Sequence, residues 1–527
     1  MLEVQMKIGV DFGTTRIVVA QVDRGNYPVV SFATPDGGSE EWYPPLIAIK
    51  EGERRFGWEA YALQDDAEWT VLRSVKRLLN DAGPNTLIDT GGAHIPLLHL
   101  LRALVEDLRG NVVRNSSLPL KEGDVLEAML GVPAHANSNQ RFLTAEAFRL
   151  AGFSVLGVLN EPSAASIEFG HRNKEGLTEK QKLLVYDLGG GTFDVSLVEH
   201  DERTHTVSAS DGISTLGGDD FDLLLAELAS EAAGIDLDHL NQGEMFRLLE
   251  ECRRRKESLH PNTRKVSIDL DAVRAGLPEV AVPVADFFER GRPLVEETMH
   301  AVRDLLDRHG DPEIHCLYVT GGGSELPLVS RMLREEFGRR VKRSAYTRAA
   351  TAIGLAIQAD ASAGYQLRDR FTRYFGVWRE ADAGSRVVFD PLFPKNTALP
   401  STGEPALEIR RAYQPVHNVG HFRYLECTHL GEDGQPSGDI TVWDEILFPL
   451  DPALQAIEDL RAVDVGISEA ATRQAVEELY QCDAAGGVSV TIRTAGHERV
   501  YRLGRWAVKT APVSAARKRR ATTSKIR

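Results

Sequence analysis

The sequence predicts an α/β protein whose larger part forms two similar lobes, followed by a smaller β-rich domain. Three observations predict it. Strand-like and helix-like segments alternate up to about residue 360, the pattern of an α/β domain. Asp11-Phe12-Gly13-Thr14-Thr15 is echoed by Asp187-Leu188-Gly189-Gly190-Gly191-Thr192, each an aspartate closing a strand before a glycine-threonine turn. Past about residue 370 the apolar residues alternate with period two instead.

Taken in order, Lys7 to Val10 and Ile17 to Val22 read as strands joined by the first turn. Leu97, Leu98, Leu101, Leu104, Val105 and Leu108 share one helical face. Val125 to Val132 is a strand, and Ser138 is expected to cap a helix running to Gly152. Leu183 to Tyr186 and Phe193 to Val198 flank the second turn. Helical spacing returns over Phe221–Leu228, Met245–Leu259 and Phe287–Leu306, and Leu317-Tyr318-Val319-Thr320 runs into three glycines. In the last part, Leu407-Glu408-Ile409-Arg410, Phe422-Arg423-Tyr424-Leu425 and Ile440-Thr441-Val442-Trp443 alternate as strands. Gly486-Gly487 and Ala495-Gly496 turn into two more. Pro452–Leu460 and Glu469–Leu479 read as short helices.

With 527 residues, more than one core is expected. The formal charge of −16 disfavours nucleic acid or an anionic membrane as partner of the main body. The exception is the run Arg517, Lys518, Arg519, Arg520, Lys525 and Arg527, expected to be a disordered basic tail. Cys252, Cys316, Cys427 and Cys482 lie far apart without metal-ligand spacing, so buried thiols in a reducing compartment are expected. No signal-peptide pattern opens the sequence and no apolar run would span a bilayer, so a cytoplasmic location is expected.

The chemistry sits in the paired turns. Glycines let backbone N–H groups reach phosphate oxygens with no Cβ in the way, and the threonine hydroxyls add donors. Asp11 and Asp187, at the strand ends, are placed to hold Mg²⁺ through its waters. A tight hairpin with no ligand explains either turn alone; both in this order point to a bound polyphosphate.

These residues resemble the DnaK-type, seventy-kilodalton heat-shock chaperone family, over most of residues 6–360. The resemblance is carried by Gly9-Val10-Asp11-Phe12-Gly13-Thr14-Thr15, Val75-Lys76-Arg77-Leu78-Leu79, Gly131-Val132-Pro133-Ala134 with Asn139-Gln140-Arg141, and Asn160-Glu161-Pro162-Ser163-Ala164-Ala165. Asp187 to Asp194, Leu216 to Asp222 and Thr320-Gly321-Gly322-Gly323 complete the set. The resemblance implies an actin-like (ribonuclease H-like) two-lobed ATPase domain binding ATP or ADP with Mg²⁺, and K⁺ as a further candidate ion. It implies that Lys76 orients the attacking water and that Glu161 positions water and metal. Asp11, Asp187 and Asp194 would order the metal, with Asp187 and Thr192 also catalytic. Thr14, Thr15 and Thr192 would bind phosphates with Gly13, Gly189, Gly190, Gly191, Gly217 and Gly218, while Lys256, Gly321, Gly322 and Gly323 complete the nucleotide site. Unfolded or extended polypeptide clients, J-domain proteins and nucleotide-exchange factors are the implied partners.

The match departs from the family at the nucleoside end. Arg253 stands for a ribose-binding glutamate, His260 for a serine, and Glu325 for the arginine that stacks on adenine. Losing that contact costs roughly 0.5–2 kcal/mol, which predicts weakened rather than abolished ATP binding. Residues 361–378 lack the family's acidic, leucine-rich linker, so altered coupling between domains is expected. Pro394 to Pro400 and Tyr480 to Ile492 resemble the peptide-binding sandwich loosely, and no amphipathic lid follows Gly504. The expected domains are 1–364 (ATPase), 365–379 (linker), 380–508 (β-rich, with a short helical insertion) and 509–527 (basic tail). The expected function is a slow ATP hydrolase coupling hydrolysis to client binding. The alternatives are a nucleotide-dependent scaffold or regulator without a folding cycle and, less favoured, a sugar kinase of the same superfold.

Overall fold

The computed structural model describes residues 5–503, apart from 65, 67, 81, 84, 85, 90–93, 174–179, 383–385, 401–403, 458, 484 and 485. The basic run from Arg517 and the region expected to lack a lid lie outside the described residues.

The internal echo is a repeated sheet topology. In the first lobe the strand Gln5–Phe12 pairs antiparallel with Ile17–Gln21 and parallel with Val125–Val132, which pairs parallel with Ser154–Asn160. In the second, Gln181–Leu188 pairs antiparallel with Phe193–Asp201 and parallel with Cys316–Thr320, which pairs parallel with Val341–Arg343. Each lobe therefore sets a hairpin beside two parallel strands, with its glycine turn at the hairpin tip. The Leu183–Tyr186 run is buried throughout, as expected of a central strand covered on both faces. In register, Asp187 lies opposite Asp194 across the hairpin.

Separate apolar cores support the lobes. One gathers Ile8, Leu101 and Phe148; the other gathers Leu184, Phe221 and Phe287. Between the sheets pass Glu161–Arg172, buried from Glu161 to Gly170, and Ala350–Ala359. Gly354 lies hard against the backbone of Ala164, so a side chain there would drive the two helices apart.

The β-rich domain has two four-stranded sheets around Phe375, Tyr424, Phe448 and Tyr480. Its first sheet runs Arg386–Phe393, Tyr374–Ala381, Val419–Leu430, Pro436–Pro449, and its second Leu407–Tyr413, Val476–Cys482, Val488–Thr494, His497–Arg502.

Four expectations need correction. The helix after Val125–Val132 is capped by Asn137, not Ser138: Asn137 accepts from the Gln140 N–H at 2.9 Å while the Gln140 side chain accepts from the Asn137 N–H. That helix spans Ser138–Leu150. The expected helix Glu469–Leu479 holds only Glu469–Thr472 before a strand, Val476–Cys482, begins. Glu478 points inward on that strand, fully buried, because Arg379 donates to it at 2.7 and 3.1 Å; an inward carboxylate hid the period-two pattern. Pro452–Leu460 holds only the 3₁₀ turn Pro452–Leu454 and the first residue of a second, Leu460–Ala462.

The segment read as a linker, 365–379, is not free chain. Gln366–Arg368 joins the second lobe's sheet parallel to Thr204–Ile213, and Tyr374–Ala381 already belongs to the β-rich sheet. Sheet pairing requires only backbone, and Leu367 supplies the apolar contact, so a leucine-rich run is not needed for docking. Among the described residues no helix is long and apolar enough to cross a membrane. All four cysteines are buried and unbridged.

Candidate functional site

One cavity between the lobes is lined by Asp11, Gly13, Thr14, Thr15, Lys76, Glu161, Asp187, Gly189, Gly190, Thr192, Gly218, Lys256, Gly321, Gly322 and Gly323. The structure thus brings together most of the residues singled out from sequence. Gly191, Gly217 and Asp194 adjoin it: a Cβ on Gly217 would lie 2.6 Å from Gly191 N, and Asp194 lies opposite Asp187 in the hairpin.

The two turns meet. A Cβ on Gly191 would lie 2.6 Å from Thr14 Oγ1 and 2.9 Å from Arg77 Nε, and one on Gly190 would lie 2.8 Å from Thr15 Oγ1. Only a backbone without side chains permits this approach. The second turn is stiffened by the Gly189 N–H donating to Thr192 O at 3.0 Å. It is backed by Gly217-Gly218, whose helix start donates from Gly218 and Asp219 to the carbonyls of Gly189 and Gly190 at 2.9 and 2.7 Å.

At the bottom lie Lys76, on the 3₁₀ turn Val75–Leu79, and Glu161, first residue of its helix, paired at 2.5 Å and both buried. Burial pulls the Lys76 ammonium down, but Glu161 and Asp11 outweigh it and hold it charged. Burial pushes the Glu161 carboxyl up to about 7, opposed by Lys76 and assisted by Asp11 and Asp194. Burial likewise raises Asp11 and, with the neighbouring Glu161, Asp194 and Asp11 carboxylates, holds Asp187 well above its ordinary range. Asp194 accepts from the Ala134 N–H at 2.8 Å and contacts His135 Nδ1 at 2.9 Å, a partner that no sequence motif indicated.

Four carboxylates therefore face one lysine, and this excess of negative charge calls for a cation. Among the described residues no three His, Cys, Asp or Glu side chains converge to ligate an ion directly. The donor set fits a divalent ion that keeps its water shell, as Mg²⁺ does.

Lys256 donates to Gly218 O at 2.6 Å and pairs with buried Asp222 at 2.7 Å, fixing the start of the third glycine segment. Further from the turns, the wall consists of Arg253, Glu257, Leu259, Glu325 and Arg348. Arg253 is buried and paired with Glu250. Glu257 accepts from Arg16 at 2.6 Å and from Arg348 at 3.2 Å, and Glu325 accepts from Arg348 at 2.8 and 2.6 Å. Sequence reading passed over Arg16 and Arg348, because ion pairs between positions so distant leave no local signature. It also passed over Arg73 and Ser74 and gave Arg77 no role of its own; all three cross between lobes to Asp219 and Asp220.

The site also has an exit toward the β-rich domain. Asn160, the residue before Glu161, accepts from Arg141 and donates to Asp369 at 2.8 Å. Asp369 follows directly on the docked strand Gln366–Arg368, and Arg370 donates to Val207 O and Asn396 O at 2.6 and 2.8 Å.

Paired glycine turns over a buried lysine–glutamate pair and a cation-seeking carboxylate cluster form, in a cleft between two lobes, a backbone anion site of the kind that suits a polyphosphate. The sequence model of the family described as Hsp70 protein matches residues 112–415, more than half of the chain, and the chain belongs to that family. Its members are ATPases that bind ATP and ADP with Mg²⁺ and act as chaperones on unfolded clients. They have an actin-like ATPase domain followed by a β-rich domain.

Proposed function

We propose that this chain hydrolyses ATP slowly and uses the hydrolysis to change how its β-rich domain holds an extended polypeptide. What carries the reading is a pair of adjacent residues: Glu161 faces Lys76 inside the cleft, and Asn160 beside it bonds Asp369 at the domain junction.

In this reading the Gly13–Thr15 and Gly189–Thr192 turns take the phosphates through backbone N–H groups, with Thr14 and Thr192 adding hydroxyl donors. Lys76 orients the attacking water and meets charge developing on the transferring phosphoryl group. Glu161 positions that water and, with a carboxyl near 7, accepts its proton. Asp11, Asp187 and Asp194 would hold Mg²⁺, which would neutralise phosphate charge when bound. A small rotation of the Glu161–Arg172 helix would be felt at Asn160, and so at Asp369.

The β-rich domain offers the outer strand Pro436–Pro449, where Ile440 and Val442 are 49% and 60% exposed while Asp439 and Thr441 turn to Arg373. An extended client adding beside it would make backbone hydrogen bonds and place alternate apolar side chains against that row. Single-turnover ATP hydrolysis with and without an unfolded peptide, on wild type and Lys76→Ala, tests the reading. Peptide-stimulated hydrolysis that disappears in Lys76→Ala supports it. Hydrolysis indifferent to peptide would instead favour a nucleotide-dependent regulator.

A further inference from the structure

A nucleotide whose phosphates occupy the paired turns must lay its base toward the opposite wall, where Arg253, Glu257, Leu259, Glu325 and Arg348 line the cavity. A purine needs a flat surface there. Arg253 is buried against Glu250, and Arg16 is drawn aside over the Trp42 ring at 5.1 Å, which leaves Arg348. Its side chain is 38% exposed and lies along Gly321-Gly322-Gly323, with Cγ 3.7 Å and Nε 3.9 Å from where a Gly322 Cβ would stand.

The way Arg348 is held matters most. Nε and Nη2 both donate to Glu325 Oε2, at 2.8 and 2.6 Å, and Nη1 donates to Glu257 Oε2 at 3.2 Å. Guanidinium N–H groups lie in the plane of the group, so carboxylates bonded to them take its edge and leave its faces free. Granted the nucleotide reading above, we infer that Arg348 is the platform on which the base stacks, and that Glu325 is the residue that orients it. The carboxylate expected from sequence to remove a stacking cation thus fixes one supplied by the segment just before the Ala350–Ala359 helix. Glu257 also holds Arg16, next to the first phosphate turn, so the base wall and that turn share one carboxylate.

The test is calorimetric titration of wild type, Arg348→Ala and Arg348→Lys with Mg-ADP and with Mg-pyrophosphate, which has phosphates but no base. Arg348→Ala is expected to weaken ADP roughly threefold to thirtyfold while leaving pyrophosphate affinity unchanged. Arg348→Lys keeps the charge but not the flat face, and should resemble alanine more than wild type; it also serves if Arg348→Ala fails to fold. Wild-type ADP affinity in both variants, or an equal loss of ADP and pyrophosphate, overturns the inference. Wild type that binds pyrophosphate but gains nothing from the nucleoside overturns it while sparing the phosphate site. Wild type that binds neither ligand sinks the nucleotide reading itself.

Discussion

The phosphate end of the cleft is made by backbone, whereas its far end is made by side chains from three separate places: Glu257, Glu325 and Arg348. A backbone site tolerates almost no substitution, because its fit depends on atoms that are missing. A site of part-exposed ion pairs is adjustable, because each pair contributes less than a fully buried one and another residue can supply the charge. The same difference separates what should break function from what should tune it.

The largest effect is expected where the turns touch. Gly191→Ala puts a methyl 2.6 Å from Thr14 Oγ1, so the turns must part; nucleotide affinity measured by calorimetry should fall by on the order of a hundredfold or more. Next comes Lys76→Ala, expected to slow single-turnover hydrolysis roughly a hundredfold to a thousandfold while ADP affinity changes only a few-fold. Because burial raises the Glu161 carboxyl to about 7, it is protonated below that pH and cannot take a proton from water. Wild-type hydrolysis should therefore climb about tenfold between roughly pH 6 and 8, with a midpoint near 7, and Glu161→Gln should flatten that climb. Smaller again is Asp369→Asn, which weakens the junction to Asn160 and should reduce peptide stimulation severalfold with little change in unstimulated hydrolysis. Smallest is Glu257→Gln, at the adjustable end: the part-exposed Arg16 and Arg348 pairs lose charge, and ADP affinity should change about twofold to threefold, less so at high salt.

Legibility in the sequence follows the same division. The turns could be read because glycine, threonine and aspartate must sit at fixed local spacing for a backbone anion site, so Asp11 to Thr15 and Asp187 to Thr192 announced themselves. The strands beside them were equally readable from apolar runs such as Leu183–Tyr186. Arg348 could not be read, since its role depends on folding beside Glu325 and Glu257, 23 and 91 residues away. The docked strand Gln366–Arg368 was missed for a related reason: its partner Thr204–Ile213 recognises backbone, not side chains. The strand Val476–Cys482 was misread because Glu478 occupies a core position, and a carboxylate there makes sense only once Arg379 is seen beside it.

Calorimetric titration of the full chain with ADP, with Mg²⁺ and again with Mg²⁺ chelated, tests most directly whether the two turns and their carboxylates hold a metal-bound polyphosphate. Saturable one-to-one binding that is lost or greatly weakened on chelation is the expected result. Absence of saturable binding with Mg²⁺ present, or binding of equal strength without it, would contradict the account.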